Sequence, residues 1–171
     1  MIRFLRKCME EGVALEIDGL GTLKRASDGN LVLTPFTQPK VFLAYVEEDL
    51  PQARKIFAAL KEEGCDPWLD KEKLLPGQNW PRRIEAAISV ADFFVPLFSR
   101  HSICKRGQFQ AELRYALDCV KQRPIDNNFF VPLRLEECCV PSRITDSIQY
   151  VDMFPDWELG MERLVKTVTA R

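Results

Sequence analysis

The feature that most restricts this chain is a change of pattern at residue 40. Beyond it, short apolar runs alternate with longer stretches whose apolar positions recur at helical spacing. Residues 41–46, 68–69, 91–98, 129–135 and 149–153 read as five strands. Between them the spacing predicts four helices. The first runs from Asp49 as its cap to Glu63, with Ala53, Ile56, Phe57 and Leu60 on the apolar face and Gly64 as its stop. The second starts from Asn79 as cap and buries Trp80, Ile84, Ala87, Ile88 and Ala91. The third covers about 106–121, and the fourth, about 157–169, buries Leu159, Met161, Leu164 and Val168. Strands separated by helices imply an open, five-stranded parallel sheet with helices on both faces, an α/β fold. Residues 91–98 are apolar on both sides, as a central strand requires. Pro96 lacks a donor, so a distortion or a shorter strand is expected there.

Residues 1–39 follow another pattern. Residues 2–11 read as a short helix with Ile2, Leu5 and Met9 on one side. Runs 13–17 and 31–34 are strand-like, with turn signals at Asp18-Gly19-Leu20-Gly21 and Asp28-Gly29-Asn30. Pro35, Thr37, Gln38 and Pro39 read as a linker. A small helix/hairpin appendage, 1–39, thus precedes a main domain, 40–171. The appendage is too short to bury a core alone.

Charge and composition exclude several function classes. Twenty-four basic against 25 acidic side chains leave a net charge of −1, which gives no electrostatic footprint for nucleic acid. The apolar runs are too short to cross a bilayer. Arg3, Arg6 and Lys7 precede no long apolar run, so no secretion signal is expected and a cytoplasmic home is. None of the six cysteines forms a C-x-x-C pair, and His101 is the one histidine. No metal is therefore expected, and the thiols are expected to be reduced and buried or half-buried. His101 and Cys104 stand three apart, but nothing nearby would orient them as a nucleophile and base.

Phosphate-cradling glycine motifs are absent. Leu74-Leu75-Pro76-Gly77 sets two leucines beside a Pro-Gly turn in a charged loop. They either fold back on the core or form an exposed tip for association. In the third helix, Phe109, Leu113, Ala116, Leu117 and Val120 share one face, with Glu112 at its margin. Its neighbours one turn away are Gln108, Phe109, Tyr115 and Ala116, none of them cationic, whereas Arg114 and Asp118 suit an ordinary solvent pair. Such a carboxylate either reaches a distant cation or is reserved for chemistry. Its early place on the helix favours the ionised form through the helix dipole. Ligands of open parallel sheets collect outside the carboxyl ends of the strands, which groups Tyr45, Asp70, Ser99 and the start of this helix.

These residues resemble a bacterial Toll/interleukin-1 receptor (TIR) domain. The resemblance runs in order through Val41-Phe42-Leu43-Ala44-Tyr45, Glu48-Asp49, Trp68-Leu69-Asp70, Leu74-Leu75-Pro76-Gly77-Gln78, Ala91-Asp92-Phe93-Phe94 and Leu97-Phe98-Ser99. It continues through Lys105-Arg106-Gly107, Glu112-Leu113-Arg114-Tyr115-Ala116-Leu117-Asp118, Val131-Pro132-Leu133-Arg134-Leu135 and Tyr150-Val151-Asp152, covering about 40–170. It implies a flavodoxin-like fold. It also implies cleavage of NAD+, as substrate and not cofactor, at the nicotinamide–ribose bond, in antiphage defence or cell-death signalling.

By the same resemblance Glu112 is the catalytic residue. Tyr45, Ala44, Asp70, Ser99, Gln108 and Phe109 line the substrate, and Leu74–Gly77 is the loop for self-association or for other TIR domains. Four positions depart from the family: Gln108 stands where an aromatic ring is common, Ala44 where a serine is usual, and Val46 and Glu47 where basic residues sometimes occur. Gln108 and Ala44 motivate the alternative of a non-catalytic TIR adaptor acting through homotypic contacts.

Overall fold

The computed structural model describes residues 15–17, 21–25, 30–34, 38–70, 79–124, 128–146 and 148–170. The chain divides into two compact units, 1–38 and 39–171. The first contains a three-stranded antiparallel sheet of β1 (Leu15–Ile17), β2 (Gly21–Arg25) and β3 (Leu31–Thr34), in that order. Leu23 pairs with Leu15 on one side and Leu33 on the other. The central strand β2 was not anticipated, because Gly19 and Gly21 read as turn residues while Thr22 and Leu23 carried the strand propensity. The helix expected at 2–11 lies outside the described residues.

In the second unit β4 (Lys40–Ala44), β5 (Asp66–Trp68), β6 (Phe93–Phe98), β7 (Leu133–Arg134) and β8 (Val151–Asp152) form a five-stranded sheet in the order β5-β4-β6-β7-β8. Every pairing is parallel. The helices are α1 (Leu50–Glu62), α2 (Trp80–Val90), α3 (Arg100–Cys104), α4 (Gln108–Lys121), α5 (Ser142–Thr145) and α6 (Trp157–Thr169), and a single 3-10 turn at Glu47–Asp49 precedes α1. This is the expected flavodoxin-like arrangement. Two short elements, α3 and α5, were not foreseen.

Alternation along the central strands builds two cores. Val41, Leu43, Val95 and Leu97 point to one face and meet Ala53, Ile56 and Leu60 of α1 with Met161, Leu164 and Val168 of α6. Phe42, Ala44, Phe94 and Phe98 point to the other and meet Ile84 and Ile88 of α2 with Phe109, Leu113 and Ala116 of α4. The aromatic side is layered: Phe42 stacks on Trp68 at 4.6 Å and on Phe94 at 5.5 Å. The fully buried rings of Phe42 and Phe94 each contribute about 1.5–3 kcal/mol.

Helix ends follow local chemistry. Gly64, at φ +77°, follows the C-cap of α1, and the Asn79 side chain accepts the Arg82 amide at the start of α2.

Four expectations need correction. Trp80 is 58 % exposed, since it occupies the first position of α2 and projects off its end. Leu159 is 44 % exposed, because two residues of helix turn it away from Met161, and Gly160 takes the buried position against β8. Asp118 pairs with Lys121 at 2.6 Å rather than with Arg114. Cys65 is buried and Cys119 and Cys138 half-buried, but Cys104 and Cys139 are exposed, at the end of α3 and in the β7–α5 connection.

The proline in β6 has a visible cost. Phe94 and Phe98 exchange backbone bonds with the segment 129–135, so Pro96, two residues from each, turns its missing donor to the same side. The ladder there breaks into an isolated bridge at Phe130 and the two-residue β7, shorter than the run 129–135 suggested.

Candidate active site

The order of the sheet reverses between β4 and β6, and chains leaving these strands part to opposite faces. A crevice forms outside their carboxyl ends. Here it is a cleft of ≈ 190 Å³ whose walls include Tyr45, Glu47, Asp70, Lys105, Arg106, Gln108, Phe109 and Glu112. Tyr45 follows β4 directly, and its hydroxyl donates to the carboxylate of Asp70, which lies just past β5. Burial, then this hydrogen bond, then the charges of Asp70, Glu47 and Glu112 push the phenol far above its ordinary range. Tyr45 is therefore a neutral donor at any working pH.

Glu112 reaches the cleft from the second turn of α4. That helix starts at Gly107, whose φ of +121° sets its direction. The side chain is 8 % exposed and flanked in sequence by Phe109, Leu113 and Ala116, all buried. Burial pushes its carboxyl up to about 8; a hydrogen bond from Gln108 opposes this, and the Asp70 charge adds to it. The expectation that the helix dipole would keep Glu112 ionised is thus reversed, because desolvation outweighs a dipole contribution of about 1 kcal/mol or less. Among the described residues no ion pair engages Glu112; the cations near the cleft are used elsewhere or face solvent. Lys105 holds Glu48, at 2.6 Å, and Arg106 is exposed.

The structure brings Tyr45, Asp70, Gln108, Phe109 and Glu112 to one cleft. Phe109 is a wall rather than a stacking surface, since its ring is 5 % exposed and meets Phe98 edge-on at 5.9 Å. Gln108 lies exposed at the mouth. Ala44 and Ser99 are not brought to it. Ala44, the last residue of β4, is fully buried in the core that packs against α2 and α4. The Ser99 hydroxyl donates to Asp49 at 2.6 Å and accepts the amides of His101 and Ser102. Residues Leu74–Gly77 lie outside the described residues.

Sequence reasoning gave no role to Lys105, Arg106 or Glu47, although a Lys-Arg pair directly before the glycine that opens α4 was a usable signal. It also read Asp49 as a helix cap. Asp49 makes no capping bond; its carboxylate is turned across the crevice to Ser99.

Comparison with known proteins agrees with this fold. A family model described as TIR domain matches residues 41–165. A curated relative, the uncharacterized protein y4cD of Sinorhizobium fredii, is 30% identical over 109 residues; the match covers 64% of this chain and 17% of that protein, so the chain spans about a sixth of its relative's length. Among solved structures, the TIR domain of the Toll-related receptor TRR-2 from Hydra magnipapillata superposes with a TM-score of 0.62 at 17% identity, over 75% of this chain and 96% of that one. The CMP N-glycosidase BcmB of Clostridium botulinum gives 0.51 at 14%, over 73% and 97%. Among the described residues no helix is long and apolar enough to cross a membrane. With its sheet order, its two cores and a family match over more than half of its length, the chain belongs to the TIR domain family.

Proposed function

We propose that this TIR domain cleaves the nicotinamide–ribose bond of NAD+ with Glu112 as its catalytic residue, in the cytoplasm, in defence or cell-death signalling. The observation that carries the reading is a buried carboxyl group, free of any cation among the described residues, opening into the cleft at the switch point of the sheet. Placing it there is costly for the fold, and the chemistry accounts for the cost.

When the bond from C1′ to the pyridinium nitrogen breaks, its electron pair leaves with nicotinamide, which departs neutral. The ribose carries the positive charge as an oxocarbenium ion, as in glycoside hydrolysis. An ionised Glu112 beside C1′ stabilises that charge in a poorly hydrated site. Water then adds to C1′ and releases a proton, giving ADP-ribose; attack by a second group of the substrate gives a cyclic product instead. Neither a general acid nor a metal is required for a neutral leaving group. The cationic ring favours the ionised form of Glu112, so substrate binding itself draws the carboxyl below its resting value. Tyr45 offers a hydroxyl at the same wall, while the exposed Arg106 suits the pyrophosphate at the mouth.

The fold likeness to BcmB, whose name states an N-glycosidase, adds that this scaffold is compatible with breaking a bond at an anomeric carbon. Self-association through Leu74–Gly77 is the proposed trigger, with NAD+ and other TIR domains as partners.

The test is nicotinamide release followed by chromatography, with concentrated protein, for the wild type and Glu112→Ala. Turnover is expected in the first and a loss of at least a hundredfold in the second, the scale set by loss of one well-placed charge-stabilising group. Equal turnover by both, or none by the wild type under crowded conditions, overturns the reading.

A further inference from the structure

Three acidic residues in succession form the turn between β4 and α1, and each goes to a different place. Glu47 lines the cleft. Glu48 takes the Lys105 ammonium with both oxygens, at 2.7 and 2.6 Å. Asp49 is 3 % exposed and accepts the hydroxyl of Ser99, itself 2 % exposed, at 2.6 Å. The turn that leaves β4 is thereby joined to the segment that leaves β6 at two points, across the crevice in which Glu112 sits.

The Asp49–Ser99 bond is the buried one, and it continues. The Ser99 hydroxyl accepts the amides of His101 and Ser102 at 3.2 Å each. The Ser102 hydroxyl accepts the Ser99 amide at 2.8 Å, closing a capping box at the start of α3. The Gln110 side chain then donates to the Ser102 carbonyl at 3.4 Å, from the first turn of α4. Glu112 follows two residues later on the same helix.

A buried carboxylate is costly, and an apolar residue of similar size generally stabilises a core more. Asp49 does not recover this cost as a cap for α1, because it makes no capping bond there. What its charge does is strengthen a hydrogen bond between two chain exits that otherwise belong to opposite faces of the sheet.

We propose that Asp49 is a positioning residue, a strut that acts through Ser99 and α3 to hold the first turn of α4, and with it Glu112, at the cleft. The inference rests on the reading of Glu112 as the catalytic group. Asp49 is not itself among the residues that wall the cleft, so replacing its side chain displaces the Glu112 carboxyl without removing a contact to substrate. Misplacement of a reacting group by about 1 Å costs up to about a hundredfold in rate.

The experiment uses the full chain and three variants. Asp49→Asn keeps an acceptor oxygen, Asp49→Leu keeps the volume without one, and Ser99→Ala removes the same bond from its other end. Nicotinamide release gives kcat and KM, and hydrogen exchange read by mass spectrometry reports amides 100–111 against those of α1 and α6.

With the strut, Asp49→Leu and Ser99→Ala lower kcat at least tenfold with KM within threefold and speed exchange at 100–111 more than in α1 and α6, while Asp49→Asn recovers most of both. Wild-type kcat and exchange in Ser99→Ala, or equal acceleration at 100–111, in α1 and in α6, overturns the strut. If Asp49→Leu does not fold, Ser99→Ala decides alone. A wild type without turnover counts against Glu112 as catalyst, whereas the exchange comparison still judges the strut by itself.

Discussion

Replacing Glu112 with glutamine should stabilise the protein, and only above mildly acidic pH. The side chain is nearly isosteric, and its carbonyl oxygen can still accept the hydrogen bond from Gln108. What disappears is the titrating proton. In the folded chain the carboxyl is raised from 4.5 to about 8, first by burial. The raised value means that the folded state binds the proton more tightly than the unfolded state. The resulting stability is complete below about pH 4.5 and is lost progressively as pH rises to about 8. A tenfold difference in proton affinity is worth about 1.4 kcal/mol, so the full gap amounts to about 5 kcal/mol. Relaxation of the site and entry of water reduce this, and about 3 kcal/mol between pH 5 and pH 8 is expected.

Urea unfolding followed by tryptophan fluorescence measures it cleanly, because Trp68, Trp80 and Trp157 all belong to the unit 39–171. The two proteins differ at one side chain, so subtracting the two curves isolates residue 112 together with its coupling to Tyr45 and Asp70. The variant should match the wild type within about 1 kcal/mol at pH 5 and exceed it by about 3 kcal/mol more at pH 8. A wild type more stable than the variant at pH 8 would mean a carboxylate held by a cation. Equal stability at both values would mean one exposed to water. Either result removes the physical basis for calling this group functional.

Two further outcomes follow from the same structure. If the ionised form of Glu112 does the work, kcat/KM for nicotinamide release should climb tenfold per pH unit and level off near 8, the value of the free group, while kcat levels off lower because the cationic ring favours ionisation. A plateau already reached near pH 5 would refute this. In α6, Gly160→Ala would place a methyl 2.7 Å from the Asp152 carbonyl oxygen and 2.9 Å from Met153 Cα, both backbone atoms. Its expected cost is about 2 kcal/mol in urea unfolding, and an unchanged or raised midpoint would show that α6 shifts freely over β8.

How much of this was legible beforehand depended on how local each signal was. The near-continuous apolar runs at 41–46 and 91–98 announced β4 and β6 because both faces of a central parallel strand must be apolar, and Ile56, Leu60, Ile84 and Ile88 sit at helical spacing that needs no partner to be read. The limits of β7 were not legible, because they depend on a donor missing from Pro96 on the neighbouring strand. Trp80 and Leu159 failed for a related reason: apolar character marks a candidate for burial, but the helix end and the rotation about its axis decide which candidate is covered.

The candidate site shows the same division. Glu112 stood out through what its helix lacked, a cation one turn away, and Tyr45 and Asp70 through their places at strand ends. Asp49 and Ser99 were each assigned a local job, a helix cap and a contact to substrate. Their joint role could not be read, because the bond between them joins residues fifty positions apart. Short-range patterns therefore disclosed some of the side chains that face the crevice, Tyr45, Asp70 and Glu112 among them, while the tie holding its walls together required the fold. A chain that keeps one buried carboxylate for a bond across its crevice and a second with no cation beside it among the described residues is built for the geometry of that cleft at the expense of its own stability, and that ordering of costs is what the glutamine substitution measures.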